Sequence, residues 1–214
     1  MARGFKRRDG RYAAKLDAVE RGLVVGLMEQ VHELVAPPEP STPGEAASDG
    51  DEFDRIVAGL GGIGQGVSLS ADDQVPELSG DVPAPRDPAL DRLLPTANRQ
   101  DEQMAAEFRR LTEDGLRSRK AANLSTAIAA LSAPADGKDD KVSLDQEQAL
   151  AVLISLTDVR LVLGERLGLK HDDDVELLEE QASSLPPDDP AVYALAVYDF
   201  LTWLQETLAH ALRP

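Results

Sequence analysis

Apolar positions recur at helical spacing in four stretches of the chain, and each stretch predicts a helix. Val19, Leu23, Leu27, Val31 and Leu34 share one face from about Asp17 onward, until Pro37-Pro38 stops the pattern. Met104, Phe108, Leu111, Leu124, Ile128 and Leu131 stripe a long helix from about Asp101 to Leu131. A third helix is predicted from Ser143 to Leu167, with Ser143 and Gln146 forming a capping box. Its Leu150, Leu153, Ile154, Leu156, Val159, Leu161, Val162 and Leu163 are apolar on several faces, which places it at the centre of a bundle. Pro186-Pro187-Asp188 introduces the last helix, about Pro190 to Leu212, striped by Tyr193, Val197, Phe200, Leu204, Leu208 and Ala211. Near the N-terminus the pattern is different: Phe5 and Tyr12 flank Asp9-Gly10, a favoured tight-turn pair, which predicts a β-hairpin.

Between these patterned stretches the breakers set the organisation. Residues 37–85 are rich in Pro, Gly and Ser and hold ten Asp/Glu against one Arg, with one short helical island over Asp51–Gly59. They read as a flexible acidic loop. Asp87 and Pro88 open a short helix as N-cap and first-turn residue, and Pro95 closes it. Ala133 to Lys141 reads as a polar loop, and His171 to Glu180 as a short helix or loop. The expected architecture is mainly α: a helical bundle with a short N-terminal β-hairpin and a long acidic Pro/Gly-rich loop. It forms one domain over 1–214, with hairpin and first helix in 1–36 and the bundle core in 86–214.

Composition supports this fold and narrows the function. Hydrophobic residues make up 42% but aromatics only 4%, so the core is built of Leu, Val, Ile and Ala, which favour helices over a β-sandwich. The net charge of −17 repels phosphate backbones, which disfavours direct nucleic-acid binding and favours basic protein partners. The basic start (Arg3, Lys6, Arg7, Arg8, Arg11, Lys15) is the exception, and could meet an acidic partner or nucleic acid. No cysteine is present, so disulfides and thiolate metal sites are excluded. No apolar run follows the basic start and none approaches membrane-spanning length, so the expected location is the cytoplasm, without membrane contact.

No motif for catalysis, a cofactor or a metal survives inspection. Gly59-Leu60-Gly61-Gly62-Ile63-Gly64 has the letters of a dinucleotide loop but lacks a preceding strand and a following helix. His32-Glu33 opens like a zinc-protease motif, but Ala36 stands where the second histidine is needed. The acidic runs at Asp136–Asp140 and Asp172–Asp174 lack the alternation of a calcium loop. What remains is a set of charged and aromatic residues on the helices: Glu107, Arg109, Arg110, Asp158, Arg160, Asp199, Trp203 and Glu206. Asp158 and Arg160 interrupt the apolar helix, and each needs a partner from another helix because i and i+2 do not face each other. Arg109 and Arg110, about 100° apart, can pair with Asp158 or Asp199 or serve a partner surface. Trp203, the only tryptophan, reads as core or interface anchor. Asp158, Asp199, Glu206 and Arg160 would support acid–base chemistry if they converged in one pocket.

Three stretches resemble an actinobacterial family of oxidative-stress transcriptional regulators, the AosR family, formerly a domain of unknown function. They are Asp87–Pro95 continuing into Ala106–Glu113, then Asp158–Gly168, then Val197–Glu206. The resemblance implies a regulator that acts by protein contact with a stress sigma factor or RNA polymerase rather than by reading DNA. It also implies a genomic setting near a Clp-protease adaptor and cysteine-biosynthesis genes, so a non-catalytic adaptor or scaffold for Clp-type proteolysis is the alternative. Redox sensing in such a regulator would use a cysteine pair, which this chain lacks.

Overall fold

The computed structural model describes residues 2–36, 86–95, 102–133, 140–171, 173–186 and 188–213, and between 102 and 110 it describes only the side chain of Phe108. The acidic stretch 37–85, with its helical island and glycine-rich motif, lies outside the described residues, as do Asp136, Asp139 and Asp172.

Strands β1 (Arg3–Arg8) and β2 (Arg11–Lys15) form the predicted hairpin. Asp9 (φ 50°) and Gly10 (φ 77°) both take positive φ in the turn, the pairing that matches strand twist. Six helices follow among the described residues: α1 (Ala18–Val35), α2 (Pro88–Leu93), α3 (Glu102–Ser132), α4 (Gln146–Arg166), α5 (Asp174–Ala182) and α6 (Pro190–Leu212). Asp87 caps α2 as the sequence suggests, and two further starts carry acidic caps. Asp17 and Glu20 form a reciprocal capping box on α1, and Asp87 and Asp189 accept first-turn amides ahead of a proline.

One element escaped the pattern. Lys141–Leu144 is a strand, β3, that pairs antiparallel with β2 in the order β1-β2-β3. Ser143 therefore does not cap α4. The cap lies two residues on, where Asp145 accepts from Gln148 N and the Gln148 side chain accepts from Asp145 N. A four-residue strand whose Val142 and Leu144 face inward is too short to separate from a helical start by periodicity.

The sheet turns Phe5, Tyr12, Ala14, Val142 and Leu144 into a core shared with all the long helices. α6 lies against β1 so closely that a Cβ on Gly4 would meet the Thr207 side chain at 2.5–2.8 Å, and Thr207 Oγ1 accepts from Phe5 N at 3.1 Å. α4 packs against α1, α2, α3 and α6 together.

Several predicted stripes are rotated from the observed ones. On α1 the buried residues are Val24, Leu27, Met28, Val31 and Val35, while Val19 is 81% exposed. On α6 Leu201 and Ala194 are buried and Tyr193 is exposed, and on α3 Phe108 and Leu111 face solvent. Neighbours on two sides widen each buried arc beyond what one stripe shows.

The shift of the α4 cap can be checked by thermal denaturation. Asp145→Ala should cost about 1 kcal/mol by loss of the cap. Ser143→Ala, at an exposed-face strand position, should stay within roughly 0.5 kcal/mol.

Candidate functional site

The region around α4 gathers the three sequence stretches that carry the family resemblance. Arg92 on α2 pairs with Glu165 at 2.8 Å and donates to the Leu169 carbonyl at 2.7 Å. Arg166 pairs with Asp87 at 2.5 Å. Arg86 pairs with Asp91 and Glu113, and Arg117 closes the group on Glu113 at 2.9 Å while donating to the Val35 carbonyl at the end of α1. The segment of Arg86 to Arg92 is thus tied by ion pairs to the middle of α3 and to the end of α4.

Asp158 and Arg160 each find a partner on another helix, as their i, i+2 spacing requires. Asp158, 2% exposed, receives Lys120 of α3 at 2.6 Å. Its other oxygen and the Ser155 hydroxyl one turn earlier are buried with no hydrogen-bond partner among the described residues. Arg160 does not meet a carboxylate. Its guanidinium donates to Gln205 Oε1 at 2.8 Å and Tyr198 Oη at 3.3 Å, and lies 5.1 Å from the Tyr198 ring centroid. Gln205 then donates to Thr157 Oγ1 at 2.9 Å. This clasp joins α4 to α6 by neutral groups and a cation–π contact.

The remaining candidates are scattered. Asp199 and Glu206 lie on the exposed face of α6. Trp203 is 37% exposed beside Phe200, with ring centroids 6.0 Å apart. The side chains of Glu107, Arg109 and Arg110 lie outside the described residues. Asp158, Arg160, Asp199 and Glu206 share no hydrogen-bond network among the described residues: one is buried against α3, one clasps α6, and two face solvent. No group of three or more metal-ligating side chains occurs among the described residues. His32 meets Ser125 Oγ at 3.1 Å.

Between the two polar contacts of α4 runs an apolar ridge that the sequence pattern assigns to the core. Leu150, Ile154 and Leu161 are 44%, 41% and 38% exposed, and Thr157 continues the stripe between them. At 100° per residue Asp158 sits about 60–80° to one side of this ridge and Arg160 about 80–100° to the other. The Lys120–Asp158 bridge and the Arg160–Gln205 clasp hold α3 and α6 against the flanks of α4 and leave its outer line uncovered. Leucine and isoleucine thus lie on the outside of a helix that packs against α1, α2, α3 and α6. The residues missed by the sequence reading are Tyr198 and Gln205, whose i, i+7 spacing on α6 was legible but pointed to no partner.

Among the described residues, two carboxyl groups have displaced titrations. Burial raises the Glu113 carboxyl, but the hydrogen bonds and charges of Arg86 and Arg117 outweigh it and hold its pKa below the usual carboxylate value. Asp174 is lowered by the amides of His171 and Lys170, which donate to it at 2.7 and 2.6 Å.

A family model described as "Domain of unknown function (DUF2017)" matches residues 2–212. No curated protein matches the chain, and no solved structure matches it.

The ionic contacts generate two expectations. Lys120→Met leaves the Asp158 carboxylate buried and unpaired, and should cost about 3–5 kcal/mol in denaturant unfolding. Adding Asp158→Leu should recover part of that loss, and strict additivity of the two single changes would rule out the pairing. Because the Glu113 pKa is lowered on folding, its contribution is present above the unfolded value of about 4.3 and lost as pH falls through the folded one. The gap in melting temperature between wild type and Glu113→Gln should therefore be widest near neutrality and close below that window.

Proposed function

The chain belongs to the DUF2017 family, and we propose that it is a non-catalytic regulator that works by holding a protein partner on the exposed ridge of α4. The observation that carries this reading is the ridge itself. Leu150, Ile154 and Leu161 stand uncovered on a helix packed by four others, with the Lys120–Asp158 bridge on one flank and the Arg160–Gln205 contact on the other. Apolar anchors on a pre-organised helix are what a helix-in-groove or helix-on-helix partner needs.

The partner class follows from the resemblance to oxidative-stress transcriptional regulators of the AosR type. The stretches that carry it meet at α4, where Asp158 to Gly168 forms the second half of the ridge and its clasps. We assign the partner to the transcription machinery, a stress sigma factor or RNA polymerase subunit, and the chain's action to protein contact in the cytoplasm. Its charge of −17 would speed the approach of a basic partner. The oxidative signal would enter through the partner, because this chain has no thiol to oxidise. Among the described residues no helix is long and apolar enough to cross a membrane.

Affinity capture from the native host, with and without peroxide, tests this reading. Wild-type chain should enrich a sigma factor or polymerase subunit. Ile154→Asp with Leu161→Asp should lower that enrichment roughly tenfold or more while circular dichroism stays unchanged. Capture of an unfoldase alone would move the chain to Clp-type proteolysis. Polymerase capture that ignores the two substitutions would place the interface elsewhere.

A further inference from the structure

The outer face of the sheet is a second surface, chemically opposite to the rest of the molecule. Strand alternation turns Phe5, Tyr12, Ala14, Val142 and Leu144 inward, and so turns Lys6, Arg8, Arg11, Ala13, Lys15, Lys141 and Ser143 outward. Arg3, across from Lys15, joins them. The register sets Ala13 and Ser143 side by side next to Lys6, with the Arg8/Arg11 row on one side and the Lys15/Lys141 row on the other. The result is a low floor of small residues inside a ring of long cationic side chains.

A groove of about 1220 Å³ lies over this floor, and its far wall is the end of α3, built of Thr126, Ala129, Ala130 and Ala133. Among the described residues, six Lys and Arg line the groove, against one acid, Asp9. Lys15 is half used by Asp140 at 2.5 Å, and Arg11 is held over the floor by Ser143 Oγ at 2.8 Å. Arg3, Lys6 and Arg8 are exposed and make no ion pair among the described residues. In a chain with 39 acidic residues, such a segregated face is bound to attract anions once it is within a Debye length of about 8 Å, where the distant acids are screened.

We propose that this groove binds an extended acidic peptide segment of a partner protein. Size and composition favour a peptide over nucleic acid. The five-residue β2 gives the face a length of about 16 Å, and three strands give it a width of about 10 Å. A duplex, with a charge every 1.7 Å or so of its axis, would overrun it onto exposed Asp9, Asp17, Asp145 and Glu147, which border the strands in the chain. Single strands bind by stacking on aromatics, and the two aromatics of the sheet, Phe5 and Tyr12, are 4% exposed on the opposite side. An extended peptide repeats its side chains on one face every 6.6 Å or so, which matches the step between successive outward rows at Arg11, Ala13 and Lys15, and Asp or Glu is short enough for the walled floor. The surface is separate from the α4 ridge, so either can fail without the other.

Fluorescence polarisation on the full chain tests the assignment with three labelled probes: an alternating Glu/Asp pentapeptide, which matches the length of the face, the matching Gln/Asn pentapeptide, and a DNA duplex of eight base pairs. The acidic peptide should bind and the neutral one should not. Lys6→Glu with Arg8→Glu, both exposed positions, should weaken binding roughly tenfold or more, and raising the salt toward 0.5 M should do the same. Ile154→Asp with Leu161→Asp should leave it unchanged, which separates this groove from the ridge. The proposal is overturned if the acidic peptide fails to bind at low salt, if the charge reversals leave its affinity intact, or if the duplex binds more tightly than the peptide.

Discussion

The structure is organised by the need to surround α4. A helix of 21 residues with apolar side chains on nearly every face cannot lie on a surface, so other elements must close around it. Helices α1, α3 and α6 supply side chains to that core, and α2 docks through its own buried leucines. The sheet joins the same core through Phe5, Tyr12, Val142 and Leu144. Loss of water from this apolar surface is the main favourable term, and the charged contacts decide how the neighbours are placed around it.

That division of labour explains why α4 carries two charges in its interior. Buried ion pairs add little net stability, because desolvation offsets their attraction. They are selective about geometry, however. Lys120 on Asp158 fixes α3 on one flank, and Arg160 on Gln205 and Tyr198 fixes α6 on the other. The Asp87–Arg166 and Arg92–Glu165 pairs tie α2 to the end of the same helix. With its flanks set this way, the line of Leu150, Ile154 and Leu161 is left facing water in a defined orientation, which is the condition for a low-entropy anchor surface. The sheet offers the opposite kind of surface, long cationic side chains around small residues.

The helices, the hairpin and the Asp87 cap were legible in the residues because each depends on local physics. Asp9-Gly10 demands a turn, Asp87-Pro88 demands a helix start, and Pro37-Pro38 demands a stop. β3 was not legible. Four residues of Lys-Val-Ser-Leu become a strand only because β2 offers an edge, and this pairing shifted the α4 cap from Ser143 to Asp145. Among the candidate site residues, the need of Asp158 and Arg160 for partners on other helices followed from the cost of buried charge. The identity of those partners did not: Arg160 met an amide and a phenol where an acid had been the natural expectation.

By itself the sequence determined what each segment can be: helical, extended or broken, acidic or basic, with no thiol chemistry and a core of aliphatic residues. Those properties rest on propensities, periodicity and composition, which act within a few residues along the chain. Only the tertiary structure decided which apolar residues remain outside. Leu150, Ile154 and Leu161 are as hydrophobic as Leu156 and Leu163, and periodicity cannot tell them apart on a helix apolar all round. Their exposure depends on how far apart α3 and α6 sit across α4. The same is true of the basic face, since Lys141 joins Lys6, Arg8 and Lys15 only once strands distant in the chain come into register. Both surfaces arise from contacts between residues far apart in sequence, where no local pattern reaches.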